Sequence, residues 1–253
     1  MLDKIFLLGT DTIIIGTNTA QNFVSGTENI IIGHGTGINM NTNVRNIIIG
    51  NNIVPNYTGN FGVIIGEGAG LSLTSAENSI IIGNNAGNSV TTGSQNILMG
   101  SSAGANISTG IRNVCIGLLA GAGIQTHDNN TIIGTNAGGG ASTSDNTIIG
   151  YNAGGSIGVN SNRCVLIGKD VGENNTVSDR LMIDNSNSNT PLIDGFFSPT
   201  STIQFNGQVI IGSTGSIPPH SINTLTSVNA GALARYIVIN INGTTQKIPY
   251  YDP

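Results

Sequence analysis

Side chains able to do chemistry are few in this sequence, and they are scattered. Three histidines stand at His34, His127 and His220, and two cysteines at Cys115 and Cys164. A resident metal needs His, Cys, Asp or Glu at ligand spacing, and none of these five has such neighbours. The cysteines are far apart and lack C-x-x-C spacing, so neither a disulfide framework nor a zinc site is expected. Cys115 falls inside an aliphatic run and reads as a small core hydrophobe. Cys164 takes a place that asparagine fills elsewhere, and nothing marks a base that could activate it. The run Gly33-His34-Gly35-Thr36-Gly37 looks like a phosphate loop. It lacks the third spaced glycine, the following helix and the downstream acidic residue. Gly168-Lys169 lacks the hydroxyl residue and upstream glycine of a nucleotide-binding loop. Asp128 and Asp145 sit in turns without recurring, so the calcium-repeat pattern is not met. The N-x-[ST] triplets at Asn56, Asn106, Asn129, Asn174 and Asn242 are expected by chance in a chain with 35 asparagines. They matter only in a glycosylating host. Paired catalytic carboxylates and a recurrent histidine are both missing. No catalytic residue, cofactor or metal is expected, and the chain reads as a non-enzyme.

Composition narrows the remaining classes. Of 253 residues, 37 are glycine, 35 asparagine and 39 isoleucine, while only 8% are charged and none is tryptophan. Ordinary soluble domains carry roughly 25% charged residues. With 38% hydrophobic residues there is enough apolar material for a core, which argues against disorder. Eight basic residues and a net charge of −5 leave no basic face for nucleic acid. Apolar runs are too short for a membrane-spanning helix, so no membrane insertion is expected. The opening MLDKIFLLGTDTIIIG has no small-residue cleavage site, and no signal peptide is read there.

A repeat runs through two thirds of the chain. Short aliphatic runs end on glycine at Gly16, Gly33, Gly50, Gly66, Gly83, Gly100, Gly117, Gly134, Gly150 and Gly168, spaced by 16 to 18 residues. The residue before the glycine is Ile in nine of ten copies, with Met99 the exception. β-Branched residues favour a pleated strand. Alternation puts the first and third residues of each run on one face and the second on the other. Both faces are then apolar, so the second face needs a cover. After the glycine comes a small residue, alanine at Ala69, Ala86, Ala103, Ala120, Ala137 and Ala153, suited to a tight corner. A weaker second strand or arc and a polar turn complete the unit. Seventeen residues suit one coil of a β-solenoid, stacked about 4.8 Å from the next. The leading asparagines Asn29, Asn46, Asn96, Asn113, Asn130 and Asn146 would form a hydrogen-bonded ladder.

The units, NSIIIGNNAG among them, resemble the head repeats of trimeric autotransporter adhesins. They are more similar still to the related repeats of phage and viral tail-fibre proteins. The segment RLMIDNSNSNTPLIDGFFSPTSTIQFNGQVIIG, beginning at Arg180, is similar to the stretch that follows such repeats in fibre-like proteins. The resemblance spans roughly residues 12–212. It implies three parallel chains packed around a threefold axis, for which the second apolar face supplies the contact.

The expected fold class is all-β, a repeat β-solenoid or β-roll of about ten coils in a parallel homotrimer, with a small C-terminal β module. Residues 1–172 form the shaft, 173–212 a capping transition, and 213–253 a hairpin module turning at Asn242-Gly243. Six of the eleven aromatics, Phe196, Phe197, Phe205, Tyr236, Tyr250 and Tyr251, lie beyond residue 190. Phe196, Phe197, Arg235, Tyr236, Lys247, Tyr250 and Tyr251 are therefore the candidate tip or interface residues. The expected role is a structural fibre subunit at a virion surface or in another extracellular setting, with its recognition end at the C-terminus. Its partners would be other copies of itself and a cell-surface glycan or receptor. The alternatives are a head-to-tail filament that binds no receptor and a bacterial trimeric adhesin.

Overall fold

The computed structural model describes residues 10–140, 143–155, 161–173, 175–187 and 190–197, and strand positions at 5–6, 203–205, 222–224, 236–241 and 244–249. Among these residues there is no helix. The aliphatic runs form β2 (Ile13–Ile15), β3 (Ile30–His34), β4 (Ile47–Asn51), β5 (Val63–Ile65), β6 (Ile80–Ile82), β7 (Ile97–Met99), β8 (Val114–Ile116), β9 (Thr131–Ile133), β10 (Thr147–Ile149) and β11 (Val165–Ile167). Each pairs in parallel with the next at equivalent repeat positions, Ile81 opposite Leu98 and Leu98 opposite Cys115. The chain is an all-β solenoid of about ten coils.

Antiparallel strands flank the stack. β1 (Ile5–Phe6) pairs antiparallel with β2. After the parallel strand β12 (Arg180–Ile183), β13 (Ile193–Phe196) and β14 (Ile203–Phe205) run antiparallel. A separate sheet joins β15 (Ile222–Thr224), β16 (Tyr236–Ile241) and β17 (Thr244–Pro249). Ile241 lies opposite Thr244, and the Asn242-Gly243 turn expected between them lies outside the described residues.

The core sits inside the coils. The middle residue of each run is fully buried, as at Ile31, Ile48, Ile81, Leu98 and Cys115. Corner alanines such as Ala86 and Ala103 lie beside it. A third column fills the far side: Phe23, Met40, Tyr57, Leu73, Val90, Ile107 and Ile124 are all buried. Each sits seven residues after its repeat glycine. A fully buried aliphatic contributes about 1.5–3 kcal/mol, and this column doubles the large side chains in each coil.

Of the two expectations for the far side of the coil, a weaker second strand or an arc, the arc is the one seen among the described residues. Among the described residues the remainder of each coil is turns and bends, with one bridge, Thr27 with Val44. Left-handed residues interrupt it, so strand pairing cannot persist. Stacking continues through single bonds instead: Gly87 N–H donates to Ala103 O at 2.9 Å and Thr91 N–H to Ser108 O at 2.8 Å.

Repeat glycines are required by contact as well as conformation. At Gly83 φ is +141°, and an added Cβ would lie 2.4 Å from the carbonyl oxygen of Gly100 in the next coil. No L side chain fits there.

Candidate interaction surface

Each strand and its leading flank alternate between outside and inside, up to the repeat glycine. From Glu28 to His34 the chain runs exposed, buried, half-buried, buried, half-buried, half-buried, exposed. Inward-facing residues are the asparagine and the central aliphatic. Outward-facing ones make four parallel columns along the rod.

The two central columns are aliphatic almost throughout, from Ile13 and Ile15 in β2 to Val165 and Ile167 in β11. Only Thr131 and Thr147 are polar. Ile47 is 37% exposed and Ile116 36%, whereas their neighbours Ile48 and Cys115 are fully buried. Ten coils make this strip about 48 Å long, and its columns stand about 7 Å apart. That is on the order of 300 Å² of contiguous apolar surface, comparable with the largest patch on a typical monomer, and patches of that rank are often functional. Ile81 does not belong to it. This residue faces the core, and the outward members of the same strand are Ile80 and Ile82.

Mostly polar and charged columns border the strip on both sides. One precedes the strands and carries Asp11, Glu28, Arg45, Phe61, Asn78, Gln95, Arg112, Asn129, Asp145 and Arg163, all exposed. Every one of them has positive φ, between +54° and +63°. Neighbours in this column bond along the rod. Arg45 Nε donates to Glu28 at 2.7 Å, and Arg163 Nε donates at 2.6 Å to half-buried Asp179, which continues the column before β12 with φ +59°. These bonds hold the Glu28 and Asp179 carboxyls below the usual carboxylate range. The second border follows the glycine and includes His34, Asn51, Glu67, Asn84, Leu118, Tyr151 and Lys169, all exposed.

Beneath the strip lies the asparagine ladder. Asn130 Nδ2 donates to Asn113 Oδ1 at 3.0 Å and to Thr143 O at 2.9 Å. Asn113 Oδ1 also accepts the Asn130 backbone N–H at 3.1 Å. Each amide thus ties neighbouring coils together and spends its bonding capacity internally, so the ladder is scaffold. Gly62, Ser79 and Cys164 interrupt it.

The other chemistry-bearing residues are dispersed by the fold. His34 is exposed in the border column, and His127 is half-buried several coils away, its Nδ1 without a hydrogen-bond partner. Cys115 and Cys164 are free and buried. Burial pushes the Cys115 thiol up to about 12 and raises that of Cys164 as well. Thr36 in the glycine-rich run donates to Gly50 O at 2.6 Å, which makes that run an ordinary coil corner. Asp128 accepts the Ile111 N–H at 2.7 Å, and Asp145 accepts from Asn129 at 2.9 Å. Among the described residues no three His, Cys, Asp or Glu gather as a metal site, and no helix is long and apolar enough to cross a membrane.

At the C-terminal end Arg180 bridges β12 and β13. Its Nη2 lies 2.9 Å from Asp194 Oδ2, with both side chains under 20% exposed. The Arg180 guanidinium also stands 5.7 Å from the ring centre of Phe196. Phe196 and Phe197 are 42% and 50% exposed. Tyr236 and Lys247 are placed as strand positions only, while Arg235, Tyr250, Tyr251 and His220 lie outside the described residues. The border columns escaped sequence reading because their residue types vary from coil to coil; only their fixed distance from the glycine marks them. The chain matches no protein-family model, no curated protein and no solved structure.

Proposed function

We propose that this protein is a non-enzymatic structural fibre subunit, three copies of which lie parallel and side by side with their apolar strips turned inward. The observation that carries this reading is the double column of outward aliphatics sustained over ten coils. Nothing in the described chain covers it, and a lone soluble rod gains nothing from so regular a strip. The setting is a virion surface, such as a phage or viral tail fibre, or another extracellular surface. Host attachment, to a glycan or receptor, belongs to the C-terminal end, where exposed Phe196 and Phe197 follow the last coil. The exposed turns of the shaft carry mainly Asn, Ser, Thr and Gly and offer few of the aromatic anchors that dominate binding energy. Three tips on one axis would add avidity.

The antiparallel strands weigh against a coil-on-coil filament. β1 covers the outer edge of β2, and β13 and β14 follow β12, so a second solenoid cannot continue the parallel ladder there.

Light scattering on the full chain tests the assembly. The expected mass is three times 25.8 kDa. Ile80→Asp with Ile82→Asp should give a folded single chain, whereas Ile81→Asp should prevent folding. A well-dispersed wild-type monomer would overturn the proposal.

A further inference from the structure

A ring of three rods brings two different surfaces together at each contact. The border column before the strands of one chain meets the border column after the strands of the next, a heterologous closed arrangement. Which coil meets which is then a question of charge. In the second border the charged residues are Glu67, beside β5, and Lys169, beside β11. Facing coils of equal number would set Glu67 against Phe61 and Lys169 against Arg163, a like-charge contact. A shift of one coil in one direction sets Glu67 against Asn78 and Lys169 against Asp179. The opposite shift sets Glu67 against Arg45 and Lys169 against Asp145. Only this register pairs both charges with opposite ones, and it places no like charges together.

We infer that, on the trimer reading above, neighbouring chains meet one coil out of step, joined by Arg45 to Glu67 and by Asp145 to Lys169 across the subunit boundary. The local geometry leaves room for both. Arg45 uses Nε and Nη2 on Glu28 at 2.7 and 3.3 Å, and its other guanidinium N–H groups remain for a second carboxylate. Glu67 has no ion-pair partner among the described residues. Lys169 pairs with its neighbour Asp170 at an exposed position, and an ammonium has three donors. Complementary borders of this kind set register and reject wrong alignments more than they add affinity. One coil of offset, about 4.8 Å over the roughly 20 Å from one border to the other, inclines the strands by about 14° to the plane across the trimer axis.

Cysteine pairing in the full chain reads the register directly. Two positions on opposite borders of one chain are about 20 Å apart, well beyond the roughly 4.4–6.8 Å Cα separation of a disulfide. Any bond formed is therefore between chains. Arg45→Cys with Glu67→Cys should, on oxidation, give a covalent band at three times the chain mass on a denaturing gel. Arg45→Cys with Asn51→Cys, the in-step pair, should stay at single-chain mass. Asp145→Cys with Lys169→Cys is the independent second variant and should also cross-link, while the wild type, with both cysteines buried, should not. Cross-linking of the Asn51 pair in place of the Glu67 pair overturns the offset. So does a sample that scatters as a trimer but links through neither offset pair, and in that case the trimer itself survives. A sample that scatters as a single chain removes the trimer and the offset together.

Discussion

At the scale of single residues, the fold rests on positions where only one side-chain type fits. Gly83→Ala adds a methyl group 2.4 Å from a carbonyl oxygen at φ +141°. The conformation alone costs roughly 1–3 kcal/mol, and moving the adjacent coil adds more. The free energy of unfolding in urea should fall by at least about 2 kcal/mol, or the protein should fail to fold. Burial gives the chain a pH dependence on the alkaline side. The Cys115 thiol is raised from 9.0 to about 12 in the folded state. Between those values the unfolded chain has lost this proton and the folded chain keeps it, so its stabilising contribution is complete below pH 9 and lost towards pH 12. Buried Tyr57 is raised as well and acts in the same direction at higher pH. Stability measured by urea unfolding should decline from pH 9 to pH 11, and Cys115→Ala should flatten the slope. The opposite trend would contradict the buried placement. Other residue-level features were beyond sequence reading. Glu28, Arg45, Arg112 and Arg163 adopt φ of +57° or +58°, though none is a glycine or asparagine. Coil stacking imposes that conformation, and local propensity does not announce it.

Among elements, the strands and their alanine corners were legible and the column filling the far side of the coil was not. Ten glycines at nearly constant spacing mark where each strand ends, and β-branched runs before them specify the pleat. The far-side column is harder to see, because Phe23, Met40, Tyr57 and Leu73 share no residue type and sit in polar, turn-rich stretches. Their common property is distance from the glycine, which a search for strand alternation passes over. The antiparallel end was anticipated only as a capping segment. Its key interaction, Arg180 with Asp194, is mostly shielded from solvent. Removing the charge with Asp194→Asn leaves the guanidinium half-buried against an amide, at a cost of about 1–3 kcal/mol. Hydrogen exchange should then quicken in β12 and β13 while β5 to β8 keep their protection. Uniform loss across the stack would mean that the pair stabilises the whole rod and not its end.

For the molecule as a whole, the solenoid has a direction in which it is weak. Neighbouring strands are bonded along the stacking direction, as between β6 and β7 or β9 and β10. A pull applied to the two ends of one chain therefore loads these bonds one row at a time, like opening a zip, and not all together in shear. Each coil released turns about 4.8 Å of rod into some 17 extended residues, or roughly 56–61 Å of chain. Stretching a single chain between a bead and a surface should give a sawtooth of equal steps near 50–55 Å, with one tooth for each coil that opens alone. A single large rupture would show that the coils yield only as a block. A sudden load on one chain is thus met by a large gain in length at modest force, one coil at a time.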